Sequence, residues 1–191
     1  GSPNGDSKNP DISADGRYIA FQSVATNLDP TIQDTNDTPD IYLHDRLTGN
    51  TILISKTADG ELANGESNWP TISANGRFIA YQSGADNIVS GVTSGIANVF
   101  LYDRDADEDN IFDETDFGST STILVSTSQS GGPIDSDALM PSISNDGNRI
   151  AFHSDATNLV INDTNNRTDT FVRDVSVNLT MRTSVNSIGG E

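Results

Sequence analysis

The side chains best suited to chemistry in this sequence are the carboxylates of the segment 105–116. Counted from the first acid of this segment, carboxylates stand at positions 1, 3, 5, 9 and 12: Asp105, Asp107, Asp109, Asp113 and Asp116. Position 7 is Ile111, which offers its backbone carbonyl. This is the ligand spacing of an EF-hand-type calcium loop. The seven acids in these twelve residues repel one another without a counter-ion, so we predict a Ca²⁺ site, with a solvated acidic loop as the alternative.

Two residues of this loop depart from the usual calcium loop. Position 6 is Asn110 rather than Gly, and Asn tolerates the left-handed turn required there. Position 12 is Asp116 rather than Glu, which makes bidentate coordination harder for a shorter side chain.

Two further segments share the pattern Asp-x-Asn-x-x-x-Asp. The candidate ligands are Asp34, Asn36 and Asp40 in the first segment, and Asp163, Asn165 and Asp169 in the second. Oxygen ligands at alternate positions of a turn converge on one point, which suits a hard cation such as Ca²⁺. The alternative is that the first Asp of each segment caps a turn and the last Asp begins a strand.

The composition excludes several classes of function. Ten Lys and Arg against 28 Asp and Glu give a net charge of −18, which repels nucleic acid and anionic lipid surfaces. The absence of cysteine excludes disulfides and thiolate metal sites. No apolar run approaches the roughly 18 residues of a membrane span, so we expect no membrane insertion.

One sequence pattern occurs three times, at 9–23, 69–83 and 140–154, with its proline at Pro10, Pro70 and Pro141. Such self-similarity indicates one supersecondary unit copied along the chain, each copy burying its faces against neighbours. We expect three repeats within 1–191: 4–62, 63–137 and 138–191.

Each repeat contains four segments with strand character. The first is Pro-x-Ile-Ser, and an Asp-Gly or Asn-Gly pair after it predicts a tight two-residue hairpin. The second, 17–23 in repeat one, carries an apolar run without alternation and is expected to be covered on both faces. The third covers 40–45, 98–103 and 169–174, and the fourth, more polar and at the sheet edge, covers 51–55, 122–126 and 179–184. No segment has helical periodicity, so the fold is expected to be all-β.

Repeated four-stranded antiparallel sheets covered on both faces are typical of β-propeller blades; a β-sandwich is the alternative. The pattern Pro-x-Ile-Ser-x-[Asp/Asn]-Gly-Arg-[Tyr/Phe]-Ile-Ala-[Phe/Tyr]-x-Ser, with a third strand ending in Asp-Arg, resembles the WD40-like repeat of bacterial TolB-type propellers. The resemblance covers the chain three times. It implies a secreted, periplasmic or cell-surface protein, and propellers of this type serve as binding platforms or as accessory domains beside peptidases and other enzymes.

Three blades are fewer than the about four to eight that close a propeller. We therefore expect either a homodimer that closes a six-bladed ring head to tail, or further blades in a longer chain.

The sequence predicts no catalytic residue. His44 and His153 stand where other repeats carry Tyr, Arg or Gln, as expected of strand surface, and no Gly-x-Ser-x-Gly motif is present. We expect a non-catalytic, calcium-stabilised scaffold that binds a protein or a glycan. The alternative is an accessory domain of a hydrolase whose catalytic residues lie outside this chain.

Overall fold

The computed structural model describes residues 2–114, 116 and 118–186. The end of the third expected repeat, 187–191, lies outside these residues. The described residues form twelve strands: β1 (Ser7–Ile12), β2 (Tyr18–Ser23), β3 (Asp40–Asp45), β4 (Thr51–Leu53), β5 (Ser67–Ile72), β6 (Phe78–Ser83), β7 (Asn98–Asp103), β8 (Ser121–Leu124), β9 (Ala138–Ile143), β10 (Arg149–Ser154), β11 (Asp169–Asp174) and β12 (Leu179–Arg182).

The strands form three four-stranded antiparallel sheets in simple chain order, β1 to β4, β5 to β8 and β9 to β12. This confirms the all-β prediction and the four strands of each repeat. The third strands have the expected bounds, and the short fourth strands lie at the sheet edges. We call the sheets blades 1, 2 and 3.

The turn between the first two strands is longer than predicted. A two-residue turn of the expected type needs positive φ at both of its residues, whereas in blade 1 only Gly16, at φ 72°, has it. The Gly16 N–H donates to the Ser13 carbonyl at 2.8 Å, and the Ser13 N–H donates to the Tyr18 carbonyl at 3.0 Å. The prediction of a two-residue turn is therefore wrong: four residues separate Ser13 from Tyr18.

The first strands begin earlier than the predicted Pro-x-Ile-Ser and contain a β-bulge. The register shifts just before the proline, at Asn9, Trp69 and Met140, whose φ values are 50°, 54° and 50°. Proline has no N–H to give to a ladder, so a bulge is one of the few places where a strand admits it.

The apolar core lies between consecutive blades, in two seams. We call the face that contacts the preceding blade in blades 2 and 3 the leading face, and the face that contacts the following blade in blades 1 and 2 the trailing face; the same names are kept for the outer faces of blades 1 and 3. In blade 2, Ile79, Tyr81 and Phe100 of the leading face pack in the seam with blade 1, and Ala80 and Leu101 of the trailing face pack in the seam with blade 3. These side chains are almost completely buried, which confirms that the second strand is covered on both faces.

Candidate metal centre and the acidic loops

The acidic loop connects β7 to β8 and brings three of its predicted ligands together. One carboxylate oxygen from each of Asp105, Asp107 and Asp109 lies within 4.8 Å of the others. Asp105 is buried, and its Oδ1 accepts the Asn110 N–H at 3.1 Å. Asn110 has φ 70°, the left-handed conformation expected of position 6. Three carboxylates converging at positions 1, 3 and 5 form a donor set that fits a hard cation.

The other predicted ligands of this loop lie outside that cluster. Asp113 forms a two-pronged ion pair with Arg104, and the bond from Arg104 Nε to Asp113 Oδ1 measures 2.9 Å. The carbonyl of Asp116 accepts a hydrogen bond from the Ser119 hydroxyl at 2.7 Å. Ile111 is exposed, and its N–H donates to Asp109 Oδ1 at 2.8 Å. A cation at this loop therefore depends first on Asp105, Asp107 and Asp109.

The acidic loop also packs on the seam between blades 1 and 2. The Arg104 guanidinium is buried and lies 4.1 Å from the centre of the Tyr18 ring of blade 1. The same guanidinium donates to the Gly76 carbonyl at 2.6 Å, and the Phe112 ring lies 6.1 Å from the Tyr18 ring. The conformation of the loop is thereby coupled to the packing of two blades.

Crowding of negative charge in the loop is visible in Glu114. Desolvation raises the pKa of this carboxyl, and the neighbouring carboxylates, led by Asp109 and Asp107, raise it further. A bound divalent cation would relieve this repulsion.

A second acidic loop, 34–40, lies between β2 and β3 of blade 1 and buries two carboxylates, Asp34 and Asp40. Asp34 Oδ2 accepts the Tyr42 hydroxyl at 2.8 Å. Asp40 accepts the Ser55 hydroxyl at 2.6 Å and the Asn36 amide at 2.9 Å. Over the part of the chain that the structure describes, neither Asp34 nor Asp40 forms an ion pair with Lys or Arg.

The pKa values of Asp40 and of Tyr42, which bonds to Asp34, are both raised. Burial raises the pKa of Asp40 to about 6; hydrogen bonds from Ser55 and Asn36 oppose the shift, and the Asp34 carboxylate adds to it. Burial also raises the pKa of the Tyr42 hydroxyl, as does its hydrogen bond to Asp34. The cluster therefore favours a proton or a cation at Asp40.

The equivalent loop of blade 3 holds a cationic side chain between its carboxylates. Arg182 Nη1 lies 3.3 Å from Asp163 Oδ1 and 3.6 Å from Asp169 Oδ2. The other contacts of Asp169 repeat those of Asp40: Asn165 donates its amide at 3.0 Å, and the Ser184 hydroxyl donates as well. The two loops thus share their polar contacts and differ in the guanidinium.

Sequence reasoning missed Arg182 and Arg104, although one signal was present for Arg182. In the register of the third and fourth strands, Arg182 lies opposite Phe171. The equivalent residues of blades 1 and 2 are Leu53 and Leu124, so a charged residue occupies a position that is apolar in the other blades. The two histidines lie on strands as expected, and His44 Nδ1 is 2.9 Å from the Thr51 hydroxyl.

The chain matches no family model and no curated protein sequence. Among solved structures, TolB from Acinetobacter baumannii matches with a TM-score of 0.50 at 18% identity, over 94% of this chain and 32% of that one. A putative TolB from Agrobacterium tumefaciens matches with a TM-score of 0.53 at 15% identity, over 93% and 48%. The β-propeller domain of the Trilobed protease from Pyrococcus furiosus matches with a TM-score of 0.54 at 10% identity, over 96% and 45%. This chain is built of β-propeller blades.

The chain spans about a third to a half of the length of these three propeller structures. At such low identities the likeness concerns the propeller fold alone. Within the described residues, no helix has the length and apolar character needed to cross a membrane.

Proposed function

We propose that this propeller chain is a non-catalytic, calcium-stabilised scaffold of a secreted, periplasmic or surface-exposed bacterial protein, and that it binds a protein or glycan. The observation that carries the calcium part is the convergence of Asp105, Asp107 and Asp109 within 4.8 Å. Because the same loop packs on Tyr18 through Arg104 and Phe112, an ion bound there would stabilise the seam as well as the loop.

The first strands offer the surface for a partner. Adjacent first strands contact one another, and those of blades 2 and 3 each carry a large apolar side chain that is about half exposed: Trp69 (42%) and Met140 (50%). The backbone N–H of Trp69 donates to Gln22 Oε1 of blade 1 at 3.1 Å, and the N–H of Met140 donates to Gln82 Oε1 of blade 2 at 2.8 Å. Apolar side chains held on a fixed backbone suit a binding platform.

The calcium part is tested by calorimetric titration with Ca²⁺ and by thermal melting with and without EDTA. Ca²⁺ is expected to bind and to raise the melting temperature, because ligands of the folded state stabilise it by mass action. Asp107→Asn and Asp109→Asn should each weaken binding. Asp59→Asn, at an exposed acid outside all three loops, is the matched control and should leave binding unchanged. Absence of binding heat together with an unchanged melting temperature would exclude the calcium site.

The second candidate function is an accessory domain beside a hydrolase. The observation that favours it is the likeness to the propeller domain of a protease, the Trilobed protease. Sequencing the gene on both sides of this segment tests it: an adjoining hydrolase domain with an intact nucleophile motif would favour it over the free-standing scaffold.

A further inference from the structure

Both seams between blades are built from the same set of backbone hydrogen bonds. The Ala14 N–H donates to the Ala74 carbonyl at 2.9 Å, and one blade further along the Ala74 N–H donates to the Asn145 carbonyl at 3.0 Å. At the start of each first strand, the N–H groups of Ser67 and Ala138 donate to carbonyls of the preceding blade at 2.7 and 2.8 Å. Any further seam of the same kind would need the same backbone donors and acceptors on its two faces.

A glycine-to-ring contact also repeats. A Cβ added at Gly76 would lie 2.3 Å from the Tyr18 ring of blade 1, and one added at Gly147 would lie 2.1 Å from the Phe78 ring of blade 2. Each seam therefore needs glycine at this turn of the following blade. Blade 1 carries Gly16 at the same position, and there a Cβ would meet only ordinary contacts, at 3.7 Å and beyond.

The leading face of blade 1 has the architecture of a covered face. Phe21 and Tyr42 stack there with ring centres 6.0 Å apart and an interplanar angle of 26°. The corresponding pairs of blades 2 and 3 stack at 5.8 and 5.9 Å with angles of 26° and 27°, and their four rings are buried. In blade 1, Tyr42 is already buried within the chain and Phe21 is only partly buried, so Phe21 is the ring of this pair that a preceding blade would cover.

The trailing face of blade 3 offers the complementary groups. By repeat position, the Asn145 N–H corresponds to the donor at Ala74, and His153 to the glutamines that accept the bulge N–H. Ala151 and Val172 match the small and branched apolar residues of the trailing face of blade 2. Two other positions are more polar: Arg149 stands where Tyr18 and Phe78 pack, and Thr170 where Ile41 and Val99 pack.

We propose that two copies of this chain close a six-bladed ring, with the trailing face of blade 3 seated on the leading face of blade 1 of the other copy. Propellers have about four to eight blades, and the only multiple of three in that range is six. Two identical three-blade arcs related by a two-fold axis form two equivalent seams and leave no open face. Because Arg149 and Thr170 make the seam between chains more polar than the seams within a chain, the dimer dissociates on dilution.

The first test is sedimentation velocity of the intact chain across the micromolar concentration range. A reversible monomer–dimer equilibrium that stops at the dimer is expected. Gly16→Asn should weaken the dimer by about threefold or more, because its side chain enters the proposed seam beside Arg149, which yields more easily than the rings beside Gly76 and Gly147, while Asn tolerates the positive φ. Gly49→Asn is the matched control, since Gly49 has φ 77° with open space around it, and it should leave the equilibrium unchanged.

The second test places thiols across the proposed seam in a chain that has no cysteine of its own. Gln22 and Asn68 face each other across the seam within the chain at 3.0 Å, and the equivalent residues across the proposed seam are His153 and Lys8 of the other copy. A chain with His153→Cys mixed with a chain carrying Lys8→Cys should give a covalent dimer with a short bismaleimide linker. Gln22→Cys with Asn68→Cys is the positive control within one chain.

Two results would overturn the proposal. One is a chain that stays monomeric at every concentration and gives no linked dimer while the positive control reacts. The other is a ladder of higher oligomers from the variant that carries both Lys8→Cys and His153→Cys, because a ladder indicates an open filament instead of a closed ring.

Discussion

The acidic loops of blades 1 and 3 carry the same pattern and solve the same electrostatic problem differently. In blade 3, the Arg182 guanidinium lies within 3.6 Å of Asp163 and Asp169. In blade 1, the corresponding residue is Leu53, and the pKa of Asp40 is raised to about 6 by burial. The two loops thus share their hydrogen bonds to Asp40 and Asp169, although a guanidinium lies beside the carboxylates in blade 3 and, among the described residues, none does so in blade 1.

Blade 2 adds a third solution. Asn98 stands where the other blades carry Asp40 and Asp169, and it accepts the hydroxyl of Ser126 at 3.0 Å as Asp40 accepts that of Ser55. The hydroxyl contact is thus common to the three blades, and the charge is optional. Calcium ligation at the loops of blades 1 and 3 stays a prediction. It can be tested more directly in blade 1, where none of the described arginines forms an ion pair with Asp34 or Asp40.

The largest expected effect follows from replacing Arg182 by the residue that blade 1 uses. Arg182→Leu should destabilise the chain by about 3–5 kcal/mol, because it leaves two buried carboxylates without their cation. Urea denaturation in EDTA measures the loss. Arg167→Leu, which removes an exposed arginine from the same loop, is the control and should cost well under about 1 kcal/mol.

The same variant sharpens the comparison when Ca²⁺ is added. If the loop of blade 3 can hold a cation once its guanidinium is removed, Ca²⁺ should restore part of the stability lost in Arg182→Leu. An equal response to Ca²⁺ in the variant and the original chain would show that Asp163 and Asp169 do not ligate the ion.

The blades could be predicted from sequence because the same pattern of four strand segments occurs three times along the chain. The unbroken apolar run in the second strand indicates cover on both faces, and the bounds of the third strands were predicted to the residue. The counter-ion of blade 3 could not be predicted in the same way, because 163–169 matches 34–40 in pattern and the residue that distinguishes them lies on β12. Only the pairing of Arg182 with Phe171 places the charge beside the loop.

For a related reason, spacing along the loop of blade 2 did not predict the contacts of Asp113. Positions 1, 3 and 5 converge as expected because they lie in one tight turn. Position 9, Asp113, is held instead by Arg104, which is buried against Tyr18 of the neighbouring blade. A contact across a seam cannot be read from spacing along one loop.

The pH dependence of stability is the second way to test the comparison. The pKa of Asp40 is about 6 in the folded chain against a usual value of 3.8, so the folded state holds its proton more tightly than the unfolded state. Between about pH 4 and pH 6 the folded state therefore binds more protons, and stability should fall as pH rises through this window, by about 2–3 kcal/mol from this residue. Above pH 6 the contribution is constant.

Asp40→Asn should remove this component, since Asn does not titrate and blade 2 already uses Asn at the equivalent position. The measurement is urea denaturation in EDTA at a series of pH values, with the exposed Asp37→Asn as the control for the same loop. Identical pH profiles for Asp40→Asn and the original chain would place the titrating group elsewhere.

The smallest expected effect concerns the equivalent side-chain amides of Asn36 in blade 1 and Asn165 in blade 3. Asn36 donates to Asp40 Oδ2 at 2.9 Å and also to the Ala63 carbonyl at 3.1 Å, whereas Asn165 donates to Asp169 Oδ2 at 3.0 Å. Hydrogen bonds to charged groups contribute about 1.5–3 kcal/mol, and leaving a buried acceptor unsatisfied costs more than losing one that keeps another donor. In blade 3, Arg182 remains beside Asp169 when the amide is removed.

Above pH 6 and in EDTA, Asn36→Ala should therefore destabilise the chain by about 1 kcal/mol more than Asn165→Ala. The difference should shrink when Asn36→Ala is measured at pH 4, where Asp40 is protonated and needs less stabilisation, and the cost of Asn165→Ala should change less. Equal costs for the two variants at both pH values would mean that the guanidinium of Arg182 does not compensate for the amide, and the two loops would then differ in sequence without differing in electrostatics.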